Sequence, residues 1–355
     1  MENFVILIQA SENFRVLIFS TTSTLFCFLS LLLFPRFWSA IVSFTSGPVK
    51  HIGNPRGSLP SGAGLFFSGV YMIAGLIFQS AGNDFLERTD LLFYLAPLFL
   101  MSAAGFFDDI YEFPWFPRLF FYFLISLCFV VVTQPSGLLS EPDPQNFAII
   151  SASLSVLVLL WITNLYNFMD GIDGLAASQA IFVLLSSSLI CLLFGVSKPS
   201  PFIFFLIGPL VGFLLLNLPK AKIYMGDSGS IFLGFFFGIT LLHEIDVSIW
   251  CWLILLGWFI VDATSTAVVR LLRGENLTEK HQSHVYQHLN RMFGVWRALM
   301  AVHFCNLFWL FPMASFCFLN PQIGFQIFIA AMLPLLVVHL YSGAGQTEPY
   351  FLRDK

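Results

Sequence analysis

Residues 202–247 read FIFFLIGPLVGFLLLNLPKAKIYMGDSGSIFLGFFFGITLLHEIDV. Two apolar runs, 202–218 and 231–247, flank a short polar segment carrying Lys220, Lys222, Tyr224, Asp227 and Ser228. Each run is at the lower end of what a helix needs to cross a bilayer core, about 20 apolar residues. The pattern of apolar run, brief polar turn and apolar run recurs outward in both directions. Expected spans fall at 14–34, 59–80, 90–107, 118–134, 147–163, 175–195, 202–218, 231–247, 250–269, 298–318 and 323–341. The fold class is therefore an all-α polytopic membrane protein with about eleven transmembrane helices, or ten if two neighbouring runs merge.

Composition agrees. Of 355 residues, 57% are hydrophobic and 10% charged, against roughly 25% charged in a soluble domain. This excludes a soluble domain and extended disorder. A net charge of −4 without a basic block leaves nothing to track a phosphodiester backbone, so no nucleic-acid partner is expected. The six cysteines, Cys27, Cys128, Cys191, Cys251, Cys305 and Cys317, sit in apolar runs without zinc-type spacing and are read as packing thiols. The N-terminal stretch, with Glu2 and Glu12 ahead of Arg15, lacks the pattern of a cleaved signal, and 14–34 is expected to be a retained helix.

Orientation follows from the cations. With the N-terminus outside, 13 of the 16 Lys and Arg fall on the cytoplasmic side and only Arg15, Arg88 and Lys198 outside. The expectation is one integral membrane domain over 1–355 in the cytoplasmic (inner) membrane. Its polar motifs lie in cytoplasmic loops near 107–118, 164–174, 219–230 and 270–297. The oligomeric state stays open between monomer and homodimer.

An ionisable group near a bilayer is costly and marks pairing, water or function. Here such groups gather in four places: Asp108-Asp109; Asn164 to Gly174 (NLYNFMDGIDG); Tyr224 to Ser230 (YMGDSGS); and Arg270 to His288. Under the sidedness above all four share one face. Five carboxylates at one face repel one another, and a divalent ion is the simplest compensation. Oxygen-only donors favour Mg²⁺, with Mn²⁺ as the alternative, and Mg²⁺ commonly completes its shell with substrate phosphate. Arg270, Arg273 and the histidines supply donors for a pyrophosphate. Together these parts suit phosphoryl transfer.

Taken singly, each cluster has a plainer reading. Asp108-Asp109 suits a solvent-facing helix N-cap, and Gly-Asp-Ser-Gly a turn. His281, His284 and His288, spaced by three and four, suit one face of a solvated helix. His243, His303 and His339 are read as structural. Asp262, two turns from a helix end, is split between pairing with an Arg or His of the following loop and a catalytic role.

In their order and spacing the clusters resemble the polyprenyl-phosphate N-acetylhexosamine-1-phosphate transferase superfamily, from about Arg56 to Asn290. The motif Asn-x-x-Asn-x-x-Asp-Gly-x-Asp-Gly at 164–174 is the most specific, with Met-Gly-Asp-x-Gly-Ser at 225–230 close behind; Asp108-Asp109 followed by Arg118-Leu119 agrees in spacing. The run from Arg270 to Gln287 is most similar to the O-antigen-initiating bacterial branch and lacks the consecutive histidines of the phospho-MurNAc-pentapeptide transferases. The first loop, NPRGSLPSGAG at 54–64, departs from the family's glycine-rich element and admits two alignments, which leaves Arg56 only a weak candidate.

The resemblance implies transfer of a sugar 1-phosphate from a UDP-N-acetylhexosamine to a membrane polyprenyl phosphate. It implies that Asp227 and Asn167 bind Mg²⁺, and that Asp173, Gly171 and Ile172 meet the uracil, with Tyr224 stacked on it. Asp108 would act on the lipid phosphate, supported by Asp109 and Asp170. Arg273, His281 and His284 would hold the phosphates or the sugar. Competing readings are the pentapeptide transferase within the superfamily, a secondary transporter outside it, and a CDP-alcohol phosphatidyltransferase, whose further motif residues are missing after Asp170.

Overall fold

The computed structural model describes residues 61–80, 91–134, 146–194, 199–279 and 281–346, with a few positions between 21 and 29. The first expected span, Cys27 and Arg56 therefore lie largely or wholly outside the described residues.

In chain order the helices are α1 (Gly64–Ser80), α2 (Leu91–Tyr111), α3 (Trp115–Thr133), α4 (Asn146–Phe168), α5 (Leu175–Phe194), α6 (Pro201–Asn217), α7 (Asp227–Leu242), α8 (Ile249–Leu255), α9 (Gly257–Leu272), α10 (Val285–Phe293), α11 (Val295–Cys305), α12 (Phe311–Leu319) and α13 (Gly324–Tyr341). No strand occurs among the described residues. The all-helical membrane fold read from the sequence is the fold observed.

Burial sorts these helices into centre and rim. Every residue of α7 from Ser228 to Leu242 is buried, as expected of a helix apolar on all sides. It packs on α2 and α4, with α1 also in contact. Its core is aromatic: Phe232 meets Phe67 and Tyr71 edge-on, and Phe236 stacks on Phe202 of α6 at 5.0 Å between centroids. By contrast α3 exposes Phe116, Phe120, Val131 and Val132, and α11 to α13 expose Trp296, Phe308, Phe316 and Val337. Large apolar side chains outward over whole helix faces are what lipid contact requires.

Length separates the expected spans. Among the described residues, six helical segments are long and apolar enough to cross a membrane: Leu91–Tyr111, Trp115–Thr133, Ile149–Phe168, Leu175–Phe194, Val295–Leu319 and Pro321–Tyr341. A seventh is broken. The run expected to be one helix at 250–269 bends by 74° between α8 and α9. Leu256 sits between the halves, and Gln179 Nε2 donates to the Leu255 carbonyl near this break. Helices α1, α6 and α7, of 16 or 17 residues, are shorter apolar rods within the bundle. Within Val295–Leu319 the turn Asn306–Leu310 is a π-helix. The five described cysteines are free thiols.

Candidate active site

The N-terminus of the central helix α7 organises the site. Gly226, which precedes it, has φ +71°, a left-handed backbone that disfavours side chains. A Cβ at Gly226 would run into Asp109 Oδ2. The close approach lets Asp109, in the last turn of α2, accept the first two N–H groups of α7: Asp227 N at 2.9 Å on Oδ1 and Ser228 N at 3.3 Å on Oδ2. A helix N-terminus leaves such donors unpaired unless something caps them. Gly226 brings no side-chain cap of its own, so the cap comes from another helix. Asp108-Asp109 is thus not a cap facing solvent on its own helix, and Asp109, expected among the catalytic acids, is committed to holding α7.

Asp108, 6% exposed, is equally occupied. Its Oδ1 accepts Phe113 N at 3.0 Å, and its Oδ2 accepts Arg118 Nη1 at 2.8 Å. The same Arg118 nitrogen lies 3.5 Å from Asp227 Oδ2. On its other side Asp227 Oδ1 accepts the amide of Asn167 at 2.9 Å, and that amide also reaches Ser230 Oγ at 2.9 Å. Asp108, Arg118, Asp227 and Asn167, from α2, α3, α7 and α4, therefore form one continuous chain of contacts. Arg118 was seen from the sequence only as an agreement in spacing; its bridging place was missed.

Beside this chain opens a small cleft lined by Asp170, Gly171, Ile172, Asp173, Asn217, Tyr224 and Met225. All four residues expected at the uracil, Asp173, Gly171, Ile172 and Tyr224, are in it. Asp173 Oδ2 accepts the N–H groups of Lys220 and Ala221, each at 3.1 Å, and so fixes the opposite wall. Asn217 is an unforeseen seam: its Oδ1 takes Gly174 N–H at 3.0 Å and its Nδ2 donates to the Ile223 carbonyl at 2.8 Å. A lone Asn at the end of an apolar run was the available signal. Burial, then the charges of Asp227 and Asp173, push the Asp170 carboxyl up to about 7.

The 270–288 segment differs most from expectation. Arg273 is half-exposed and sits 3.6 Å from Glu275 Oε1, turned to its own loop. Arg270, by contrast, is 4% exposed; its Nε reaches Glu275 at 3.0 Å and its Nη2 the Asn276 carbonyl at 2.8 Å, while Nη1 is buried without a partner. The three histidines do not share a helical face, because α10 begins only at Val285. His281 lies ahead of it beside Ser283 (3.0 Å), His284 is the residue before the first turn, and only His288 is inside the helix, bonded to the Gly343 carbonyl. The His281 and His284 rings still lie 5.0 Å apart. Burial, with His284 and Arg270 nearby, pushes His281 down to about 4, so it is neutral at pH 7. The loop reaches the cleft through Tyr286, whose hydroxyl donates to the Phe168 carbonyl at 3.1 Å; a Cβ on Gly171 would collide with that hydroxyl.

Residues 91–244, which contain α2 to α7 and most of these contacts, match the family model "Glycosyl transferase family 4". A "Probable undecaprenyl-phosphate N-acetylglucosaminyl 1-phosphate transferase" of Bacillus subtilis is 26% identical, over 80% of this chain and 81% of its own length. A "Phospho-N-acetylmuramoyl-pentapeptide-transferase" of Prochlorococcus marinus is 29% identical over 75% and 79%. One of the same title from Listeria welshimeri is 30% identical over 53% and 61%. These matches support the superfamily that the motifs resemble. With the multi-pass helical fold they support a membrane-bound sugar-phosphate transferase. The family match takes in the Asp108, Arg118, Asn167 and Asp227 chain but ends before the loop of Arg270 to His288.

Proposed function

We propose that the protein transfers N-acetylhexosamine 1-phosphate from a UDP-sugar to polyprenyl phosphate at the cytoplasmic face, releasing UMP, as the first membrane step of a cell-envelope glycan of the O-antigen or lipopolysaccharide type. The observation that carries the reading is the adjacency of the Asp170–Tyr224 cleft to the Asp227, Asn167 and Arg118 contacts. The Tyr224 ring set among carboxylates and backbone polar groups suits a nucleobase, and charged groups next to it suit a diphosphate. The loop's separated histidines, and the N-acetylglucosaminyl title of the Bacillus subtilis relative, favour a simple N-acetylhexosamine over a pentapeptide-bearing donor.

Mg²⁺ fits the donors present. Among the described residues no three His, Cys, Asp or Glu form a ready cage, but Mg²⁺ commonly takes one or two protein oxygens plus water and phosphate. Asp227 and the Asn167 side-chain carbonyl would hold it. Bound there, the ion would neutralise charge on the donor's diphosphate.

The chain's own groups supply the rest. A lipid phosphate oxygen forms the new bond to the sugar-bearing phosphorus, and the bond to the bridging oxygen breaks, its electron pair leaving with UMP. Arg118 offsets the repulsion between the two anions. Asp108 orients Arg118. With both its oxygens engaged, Asp108 is a poor nucleophile, which supports direct displacement over a covalent aspartyl intermediate. His281, neutral, offers a hydrogen bond rather than a charge.

The test is UMP release by purified protein with polyprenyl phosphate and Mg²⁺, across a panel of UDP-N-acetylhexosamines. Release that one donor supports, and that EDTA or Asp227→Ala abolishes, is expected. Release that persists in EDTA would remove the metal from the reading. Inertness toward every donor would remove the donor class.

A further inference from the structure

The Asp262 carboxylate is fully buried in α9 and sits at the start of α10, outside the contacts that build the cleft. Four groups converge on it. Oδ1 faces His284 Nδ1 at 3.2 Å, Val285 N at 3.0 Å and, weakly, Thr266 Oγ1 at 3.4 Å; Oδ2 accepts Tyr286 N at 3.0 Å. The two backbone bonds help cap α10, together with Gln287 Oε1, which accepts the His284 N–H at 3.2 Å. They do not account for the imidazole. Ringed by donors, the carboxylate accepts, so the nitrogen facing it is Nδ1–H. His284 is itself 3% exposed, and its ring is confined between His281 at 5.0 Å and Tyr286 at 5.6 Å between centroids. Tautomer and ring plane are thus both fixed, with Nε2 the free pole.

We propose that Asp262 is a positioning residue for the transfer reaction: it locks His284 with Nδ1–H inward so that Nε2 meets the phosphate-linked sugar of the donor. This rests on the transferase reading above. It adds a residue that touches no substrate but sets the geometry of one that does, as carboxylates bonded to the far ring nitrogen do for catalytic or ligating histidines. The partnership also explains a fully buried ionisable group, which would otherwise be expensive.

The experiment uses the full-length protein in detergent, with polyprenyl phosphate, Mg²⁺ and the donor that the wild type turns over. In ¹⁵N-histidine spectra the His284 signal, assigned by its loss in His284→Gln, is expected as the Nδ1–H tautomer. An Nε2–H tautomer in the wild type overturns the proposal, and that measurement does not depend on any Asp262 variant folding. In turnover, Asp262→Ala is expected to lower kcat roughly 10- to 100-fold, the usual cost of removing such a partner. In a His284→Gln background the same change should cost less than about threefold, since its effect passes through the missing ring. Equal losses in the two backgrounds would make Asp262 a helix cap and nothing more. A wild type inert toward every donor would overturn the functional reading, and this inference with it; an active wild type with equal losses would overturn this inference alone.

Discussion

Asp109→Ala removes the acceptor of two backbone donors at the start of α7, Asp227 N–H and Ser228 N–H. Leaving a buried donor unsatisfied costs about 1–3 kcal/mol, and losing a helix cap typically about 1 kcal/mol. The Ser228 bond is the longer and weaker, so the expected loss is about 2–3 kcal/mol rather than the full sum. Asp109→Asn keeps one acceptor and loses the carboxylate's attraction to the helix dipole, about 0.3–1 kcal/mol. It should fall about midway. The check is unfolding in detergent followed by tryptophan fluorescence, which the 8 Trp of the chain permit. The order wild type, Asn, Ala is expected in the midpoint. Turnover should fall with it, because Asp227 is the first residue of the helix that Asp109 holds. An Asp109→Ala protein with the wild-type midpoint and no turnover would refute the capping assignment and return Asp109 to the chemistry itself.

Tyr224→Ala should raise the KM for the UDP-sugar about tenfold through lost stacking while Tyr224→Phe stays near wild type; a dead Phe variant in steady-state kinetics would shift the role to the hydroxyl. Gly171→Ala should weaken UDP binding by calorimetry, because the new methyl displaces the Tyr286 hydroxyl and breaks its bond to Phe168; unchanged affinity would uncouple the loop from the cleft. For Asp170 the sign is set by a folded value of about 7 against an ordinary carboxylate near 3.8. Between those values the folded state holds the extra proton, so stability falls as pH rises and flattens above about 7. Melting from pH 5 to 8 without metal should slope downward in the wild type and less so in Asp170→Asn.

What the sequence made legible was decided by how local the cause was. The 164–174 and 225–230 motifs could be placed side by side because each is a compact polar interruption between apolar runs. The contact of Asp109 with the start of α7 was not legible because its partner lies 118 residues away, and no spacing displays that. The break at Leu256 falls inside an unbroken apolar run, where nothing polar marks it. For the histidines, periodicity alone proposed a helical face from His281 onward, whereas the helix starts where Asp262 caps it. The resemblance chose Arg273 over Arg270 for the phosphates, whereas Arg270 is the buried one and Arg273 the exposed.

The borrowed caps of α7 and α10 have a consequence for how the protein comes into being. Asp227 reaches its place only after α2 has docked, and His284 only after α9 has turned its acid toward the next helix. A nascent or misassembled bundle therefore presents the right residues in the wrong arrangement. Competence appears together with completed assembly, so the chemistry itself reports that the membrane protein has been built correctly.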